Sequence, residues 1–204
     1  MVGWSVTPGM LRPAGPLSRA ALPPTYSGAM TGVVDEVLVR ERTGADIAGL
    51  AAVLAAQQPH SGYPQNWPLP YPVERFIARA DEDAAWVAEL GGRVVGHVAV
   101  SRVEPGLEAD LWTVGANRPR EELAAVSVLF VDHTAVGRGV GKALLATAVD
   151  AIRASGRLPV LDVVQETPSA VELYRRTGWQ VVGEGRPWWL PDDHLPVLFM
   201  VLPD

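Results

Sequence analysis

The chain has 204 residues, a net charge of −6 and a pI near 5.2. That length suits one domain with an appendage, and the acidic balance argues against nucleic acid or an anionic membrane surface as the main partner. The lack of cysteine excludes disulfides, thiolate metal sites and a cysteine nucleophile, and no apolar run approaches the roughly 20 residues of a membrane span.

Residues 1–34 hold five prolines and five glycines, no acid, and only Arg12 and Arg19 as bases. They read as a disordered leader, with residues 35–204 as the domain; a docking arm, or an upstream start ahead of Met30, are the alternatives. No stretch resembles a signal-peptide core, so the expected location is cytoplasmic.

From Val37 the pattern becomes periodic. Val37–Val39 reads as a strand, and Thr43 or Asp46 as the cap of a helix through Ile47, Leu50, Ala51, Val53 and Leu54. Gln57–Pro72 (QQPHSGYPQNWPLPYP) reads as an aromatic, proline-rich loop, followed by a short helix Val73–Ala80. Ala85–Leu90 and Arg93–Val103 alternate around Gly91-Gly92, the signature of a β-hairpin. Ala124–Val131 is a nearly all-apolar strand, buried on both faces.

Gly137–Gly141 then opens a helix with apolar Leu144, Leu145, Ala148, Val149 and Ile152, which Gly156 stops. Pro159–Val164 is a strand. Thr167 caps the next helix, Pro168 takes its first position and Gly178 ends it. Trp179–Val182 and Leu195–Leu202 are the last strands, joined by Gly183–His194. Strands and helices alternate, so the domain is α/β, a mixed sheet with at least one β-α-β crossover.

The glycine cluster lies between a buried strand and a helix N-terminus, where free backbone N–H groups form an anion site. Its spacing fails a Walker A loop, because Val136 and Ala143 stand where Gly and Ser/Thr are needed. It fails a dinucleotide fingerprint too, since the glycines run Gly137-x-Gly139-x-Gly141. Lys142, the sole lysine, follows directly.

Gly139-Val140-Gly141, preceded by Gly137-Arg138, resembles the end of the pyrophosphate loop of GCN5-related N-acetyltransferases, written Arg/Gln-x-x-Gly-x-Gly. The segment Thr167-Pro-Ser-Ala170 to Tyr174-Arg-Arg-Thr-Gly178-Trp179 resembles that family's second signature, at the family's spacing. The similarity covers roughly residues 37–202. Two positions depart from the pattern: Val136 replaces the usual Arg or Gln, and Thr167 the usual Asn. The first removes one pyrophosphate anchor, for which Arg138 or Lys142 would compensate.

The resemblance implies a mostly antiparallel, twisted sheet of six to seven strands with a central β-α-β crossover, and acetyl-CoA as acyl donor. It implies a splayed gap between the Ala124–Val131 and Pro159–Val164 strands, with pantetheine pairing near Leu129 and Val131. Val136, Gly137, Arg138, Gly139, Val140, Gly141 and Lys142 would form the pyrophosphate loop, and Thr167 and Tyr174 would complete the cofactor site. Val131 N–H would polarise the thioester carbonyl. Tyr174 takes the family's general-acid place, since a phenol of pKa about 10 can protonate a departing thiolate.

Asp162 stands twelve residues before Tyr174, where the ribosomal-protein alanine acetyltransferase branch has a Glu as proposed base. Asp162 is either that base or an exposed strand carboxylate; Glu121 and Glu122 are weaker candidates, and His133 is expected to face solvent.

Two loops would flank the amine site. Gln57–Pro72 offers His60, Tyr63, Trp67 and Tyr71, and Gly183–His194 offers Trp188, Trp189, Asp192, Asp193 and His194. Aromatic faces beside carboxylates suit a cation, so the expected acceptor is a small, hydrophobic or aromatic primary amine; otherwise these aromatics only pack the loops. A protein α-amine or lysine acceptor, and a non-catalytic acyl-CoA sensor, are the rivals. The four histidines lack metal-ligand spacing, so no metal is expected. Neither nucleic acid nor membrane is an expected partner, and the chain would be a monomer or homodimer.

Overall fold

The computed structural model describes residues 36–204. The proposed leader lies outside the described residues. Strand β1 (Leu38–Glu41) is followed by a capping turn, in which Asp46 Oδ2 accepts from Thr43 N at 2.7 Å and from Thr43 Oγ1 at 2.9 Å. That turn launches helix α1 (Ile47–Ser61), and a short helix α2 (Val73–Ile77) follows the aromatic loop. Strands β2 (Glu82–Leu90) and β3 (Arg93–Arg102) form the hairpin that Gly91-Gly92 announced.

After helix α3 (Leu107–Ala116), strand β4 (Leu123–Val131) leads through the glycine loop into helix α4 (Val140–Ala154) and strand β5 (Leu158–Val163). Helix α5 (Pro168–Arg176) and strands β6 (Gln180–Gly185) and β7 (Val197–Val201) complete the domain. The seven strands form one sheet in the order β1-β2-β3-β4-β5-β7-β6. Every pairing is antiparallel except β4–β5, which α4 connects. The sheet is thus mixed and mostly antiparallel with one central crossover.

Each face buries its own helices. On one face α4 inserts Leu144, Leu145, Ala148, Val149 and Ile152 against Val98, Val126 and Leu161, and α5 adds Val171 and Tyr174. Burying each large aliphatic side chain contributes about 1.5–3 kcal/mol. On the other face α1 and α2 place Leu50, Leu54, Phe76 and Ile77 over Val87, Ala99, Val128 and Phe130. Beside them α3 packs Ala109 and Trp112 over Val160 and Phe199.

Helix α3 is absent from the sequence reading. It follows Pro105-Gly106 without a Ser, Thr, Asp or Asn cap, and its apolar residues are not confined to one face, since Leu107 and Val114 are exposed while Ala109 and Trp112 are buried. Its close packing explains why β6 is glycine-rich. A Cβ on Gly183 would meet Leu111 Cδ2 at 3.1 Å, and one on Gly185 would meet Leu107 Cδ2 at 3.2 Å. The expected loop Gln57–Pro72 is shorter than read, because α1 continues through Pro59 to Ser61 and places His60 on the helix. Pro59 sits in the last turn, where its missing N–H removes a single helical bond. Likewise α2 stops at Ile77 rather than Ala80. Thr167 does stand at the N-cap of α5, but its side chain makes no capping bond.

Candidate active site

The site begins where two neighbouring strands part. β4 and β5 pair only as Leu123↔Leu158, Ala124↔Pro159 and Ala125↔Val160. Beyond these residues β5 keeps its pairing to β7, while β4 keeps to β3. A gap therefore opens between the C-terminal halves of two adjacent parallel strands, the position where open α/β sheets bind ligands.

A bulge in β4 controls what faces this gap. Ala99 pairs with Ser127, but His97 pairs with Phe130, so one extra residue lies on β4. Val128 takes a φ of +50°, uncommon for a β-branched residue. After the bulge Asp132 N donates to Val95 O at 2.7 Å. Backbone groups alternate sides along a strand, so the amides of Phe130 and Asp132 turn to β3 and those of Leu129 and Val131 turn toward β5.

The glycine loop lies at the end of the gap. Asp132 Oδ1 fixes its entry by accepting from Thr134 N and Oγ1, both at 2.8 Å. Gly137 and Gly139 adopt φ of +82° and +83°, which a side chain would strain although the space around both is open. The first helical bond runs from Ala143 N to Gly139 O at 3.0 Å. The amides of Val140, Gly141 and Lys142 precede it and carry no intrahelical partner. Val136 is exposed beside them, with Arg138 and Lys142 also at the surface.

Tyr174 is buried on the α4–α5 side, edge-on to Trp179 at 5.9 Å between ring centroids. Burial holds its phenol well above the usual range, and the charges of Tyr63 and Asp162 add to the effect. Asp162 lies on β5 and points to the opposite face. Water reaches its side chain, yet the crowded cleft pushes its carboxyl up to about 6, with Glu108 adding to the rise and Arg79 opposing it. Solvent access moderates this desolvation. Tyr63 is half-buried in the same neighbourhood, edge-on to Phe76 at 5.8 Å, and burial raises it to about 12.

Two groups at this site were not foreseen. Arg79 follows α2, with its guanidinium 4.7 Å from the Phe76 ring centroid and its Nε donating to Phe76 O at 3.3 Å. Its charge acts on Tyr63, His97 and Asp162. Glu108 comes from α3, and an unread helix gave no sequence signal for it. From the same helix Trp112 Nε1 donates to Leu161 O at 3.1 Å, next to Asp162.

The two loops expected to flank the amine meet: Asn66 Nδ2 donates to Trp189 O at 2.5 Å. Trp67 and Trp189 are half-buried there, whereas Trp188 is 92% exposed. Arg186 fastens its loop by donating to the carbonyls of His194, Pro191 and Asp192, which leaves Asp192 and Asp193 at the surface. Glu121 and Glu122 sit before β4, at the end away from the gap, beside Arg120 and Arg118. His133 is exposed and stacks on His60 with centroids 4.1 Å apart. Among the described residues no group of three metal-capable side chains is present, and no helix is long and apolar enough to cross a membrane.

The chain is similar to known proteins in sequence and in fold. The model of the "Acetyltransferase (GNAT) family" matches residues 51–179. An uncharacterized N-acetyltransferase of Methanocaldococcus jannaschii is 33% identical over 107 residues, which is 52% of this chain and 43% of that protein. The N-alpha-acetyltransferase RimI of Mycobacterium tuberculosis is 32% identical over 104 residues, which is 50% of this chain and 55% of that protein. The chain thus spans about half the length of these relatives. The protein yncA from Salmonella typhimurium, solved with its cofactor acetyl-CoA, superposes with a TM-score of 0.61 at 17% identity, covering 82% of this chain and 94% of that one.

Proposed function

Because the chain belongs to the GNAT acetyltransferase family, we propose that it transfers an acetyl group from acetyl-CoA to a primary amine of a small molecule with hydrophobic or aromatic character. The observation that carries the reading is the β4–β5 gap, with Tyr174 on one side and Asp162 on the other. The residues fit the donor. The Leu129 and Val131 amides would pair with a pantetheine chain, and the open amides of Val140, Gly141 and Lys142 suit a pyrophosphate.

When bound, acetyl-CoA supplies an activated acyl carbon. The Val131 N–H would polarise the thioester carbonyl and stabilise the oxyanion as the amine attacks. Asp162 takes a proton from the incoming ammonium, directly or through water. A carboxyl near 6 is ionised at neutral pH yet more basic than an ordinary aspartate. The new N–C bond would form as the C–S bond breaks: Tyr174 would give its phenolic proton to the departing sulfur, and the second proton that the nitrogen sheds as it becomes an amide would pass through water to restore the phenol. The burial that raises the phenol would raise the thiolate's proton affinity as well, so the two stay matched.

The contact between Asn66 and Trp189 supports a small acceptor, because it closes one loop over the other. Trp188, free in solvent, supports the second reading, a protein α-amine acceptor. Calorimetry with acetyl-CoA, joined to a thiol-release assay over amines and peptides, decides. Release with small amines and not with peptides is the expected result. Release with peptides alone replaces the acceptor, and tight binding without release on any acceptor replaces the enzyme by a sensor.

A further inference from the structure

His97 is wholly buried, on the sheet face that carries α1 and α2. Its Nδ1 lies 2.9 Å from Val128 O, and its Nε2 lies 3.2 Å from Arg42 Nη1. A carbonyl oxygen only accepts, so Nδ1 carries the ring proton and donates it to Val128 O, which leaves Nε2 unprotonated against the Arg42 guanidinium. Arg42 is itself fixed. It donates to both carboxylate oxygens of Glu82, at 2.8 and 2.7 Å, and to Ile77 O at 3.0 Å. Phe130 stacks on the His97 ring with centroids 5.5 Å apart. Burial, with the Arg42 and Arg79 charges adding, lowers the ring to about 4 and keeps it neutral, so this tautomer persists at neutral pH.

The carbonyl held in this way belongs to the strained residue of the bulge. The bulge decides which amides face the gap. Had the Ala99↔Ser127 register continued, Leu129 and Val131 would pair with β3, and their N–H groups would turn away from β5. One extra residue reverses their direction.

We propose that His97 is a positioning residue for the acyl donor: braced by Arg42 and Glu82, it pins the Val128 bulge and thereby holds the Leu129 and Val131 amides toward the gap. This rests on the reading that the gap receives acetyl-CoA. A histidine that merely filled core volume would be replaceable by phenylalanine. A histidine that acts through Nδ1 is replaceable by asparagine, whose side-chain nitrogen stands near that atom. Glutamine, whose amide reaches toward the Nε2 position, would not replace it.

The test measures the acetyl-CoA dissociation constant by calorimetry for wild type, His97→Asn, His97→Gln and His97→Phe, each checked for folding by thermal melting. It also records KM for acetyl-CoA and for the acceptor. We expect His97→Phe and His97→Gln to bind acetyl-CoA about tenfold more weakly, and His97→Asn to stay within about threefold, with acceptor KM unchanged. Wild-type affinity in folded His97→Phe overturns the proposal, as does equal weakening in His97→Asn and His97→Gln. Should His97→Phe not fold, the Asn–Gln contrast decides alone. Calorimetry needs no acceptor. A wild type that binds acetyl-CoA but acetylates nothing therefore refutes the reaction while this test still stands. A wild type that binds no acetyl-CoA removes both.

Discussion

On the α4–α5 face of the sheet, the groups around the gap are backbone amides and one phenol. On the α1–α3 face they are side chains of mixed sign: Asp162, Glu108, Arg79 and Tyr63. The first set, on the proposed reading, would meet the donor through main-chain geometry that glycines, a bulge and a helix start dictate. The second set, on the proposed reading, would meet the acceptor through charges and rings brought together from β5, α3, the end of α2 and the loop after α1. The two stretches that resemble the family's signatures, the glycine loop into α4 and helix α5, therefore belong to the first face.

The largest expected effect breaks chemistry while sparing donor binding. Tyr174→Phe keeps the packing against Trp179 and removes only the acid. Turnover should fall by about 100-fold or more, while calorimetry returns the wild-type acetyl-CoA affinity. Unchanged turnover would take Tyr174 out of the reaction.

Asp162→Asn tests the other face. In wild type kcat/KM should fall as pH drops through about 6, because protonation removes the base and the group's raised pKa sets the limb there. The variant should lose that limb together with about 100-fold in rate. A variant that keeps both the limb and the rate would return Asp162 to the status of a cleft carboxylate.

The glycine loop and helix α5 were legible in the sequence for a physical reason. Positive φ demands glycine at Gly137 and Gly139, a helix start follows at Val140, and Tyr174 lies on a helix whose Pro168 and Gly178 mark its ends. Backbone requirements of this kind leave fixed spacings. The bulge at Val128 left none, since a valine with positive φ has no compositional mark and is held by His97, far away in sequence. Nor did α3, whose position depends on Leu107 and Leu111 seating over Gly183 and Gly185. Asp162 was readable as a candidate, whereas its neighbours Arg79 and Glu108 arrive by tertiary packing alone.

A smaller effect belongs to the donor loop. Gly139→Ala forces a side chain onto φ +83° in otherwise open space, so the cost is conformational rather than steric. At about 1–2 kcal/mol for a left-handed alanine, acetyl-CoA affinity should weaken by roughly tenfold, with acceptor KM unchanged. A shift in acceptor KM alone would mean that the two sides of the gap are less separable than their construction suggests.

The smallest expected effect sharpens the acceptor side. Asn66→Ala removes one exposed side-chain bond, to Trp189 O, and touches nothing on the donor face. Such a bond is worth about 0.5–1.5 kcal/mol, so acceptor KM should change by roughly threefold while the acetyl-CoA constants hold. The direction of the change is informative. A small amine held beneath the joined loops loses part of its cover, and its KM rises. A peptide must pass between those loops, so separating them widens its path and its KM falls. Steady-state kinetics on the same variant with one amine and one peptide thus reads which kind of acceptor the contact was built around, and an unchanged KM for both would show that the loops meet without enclosing either.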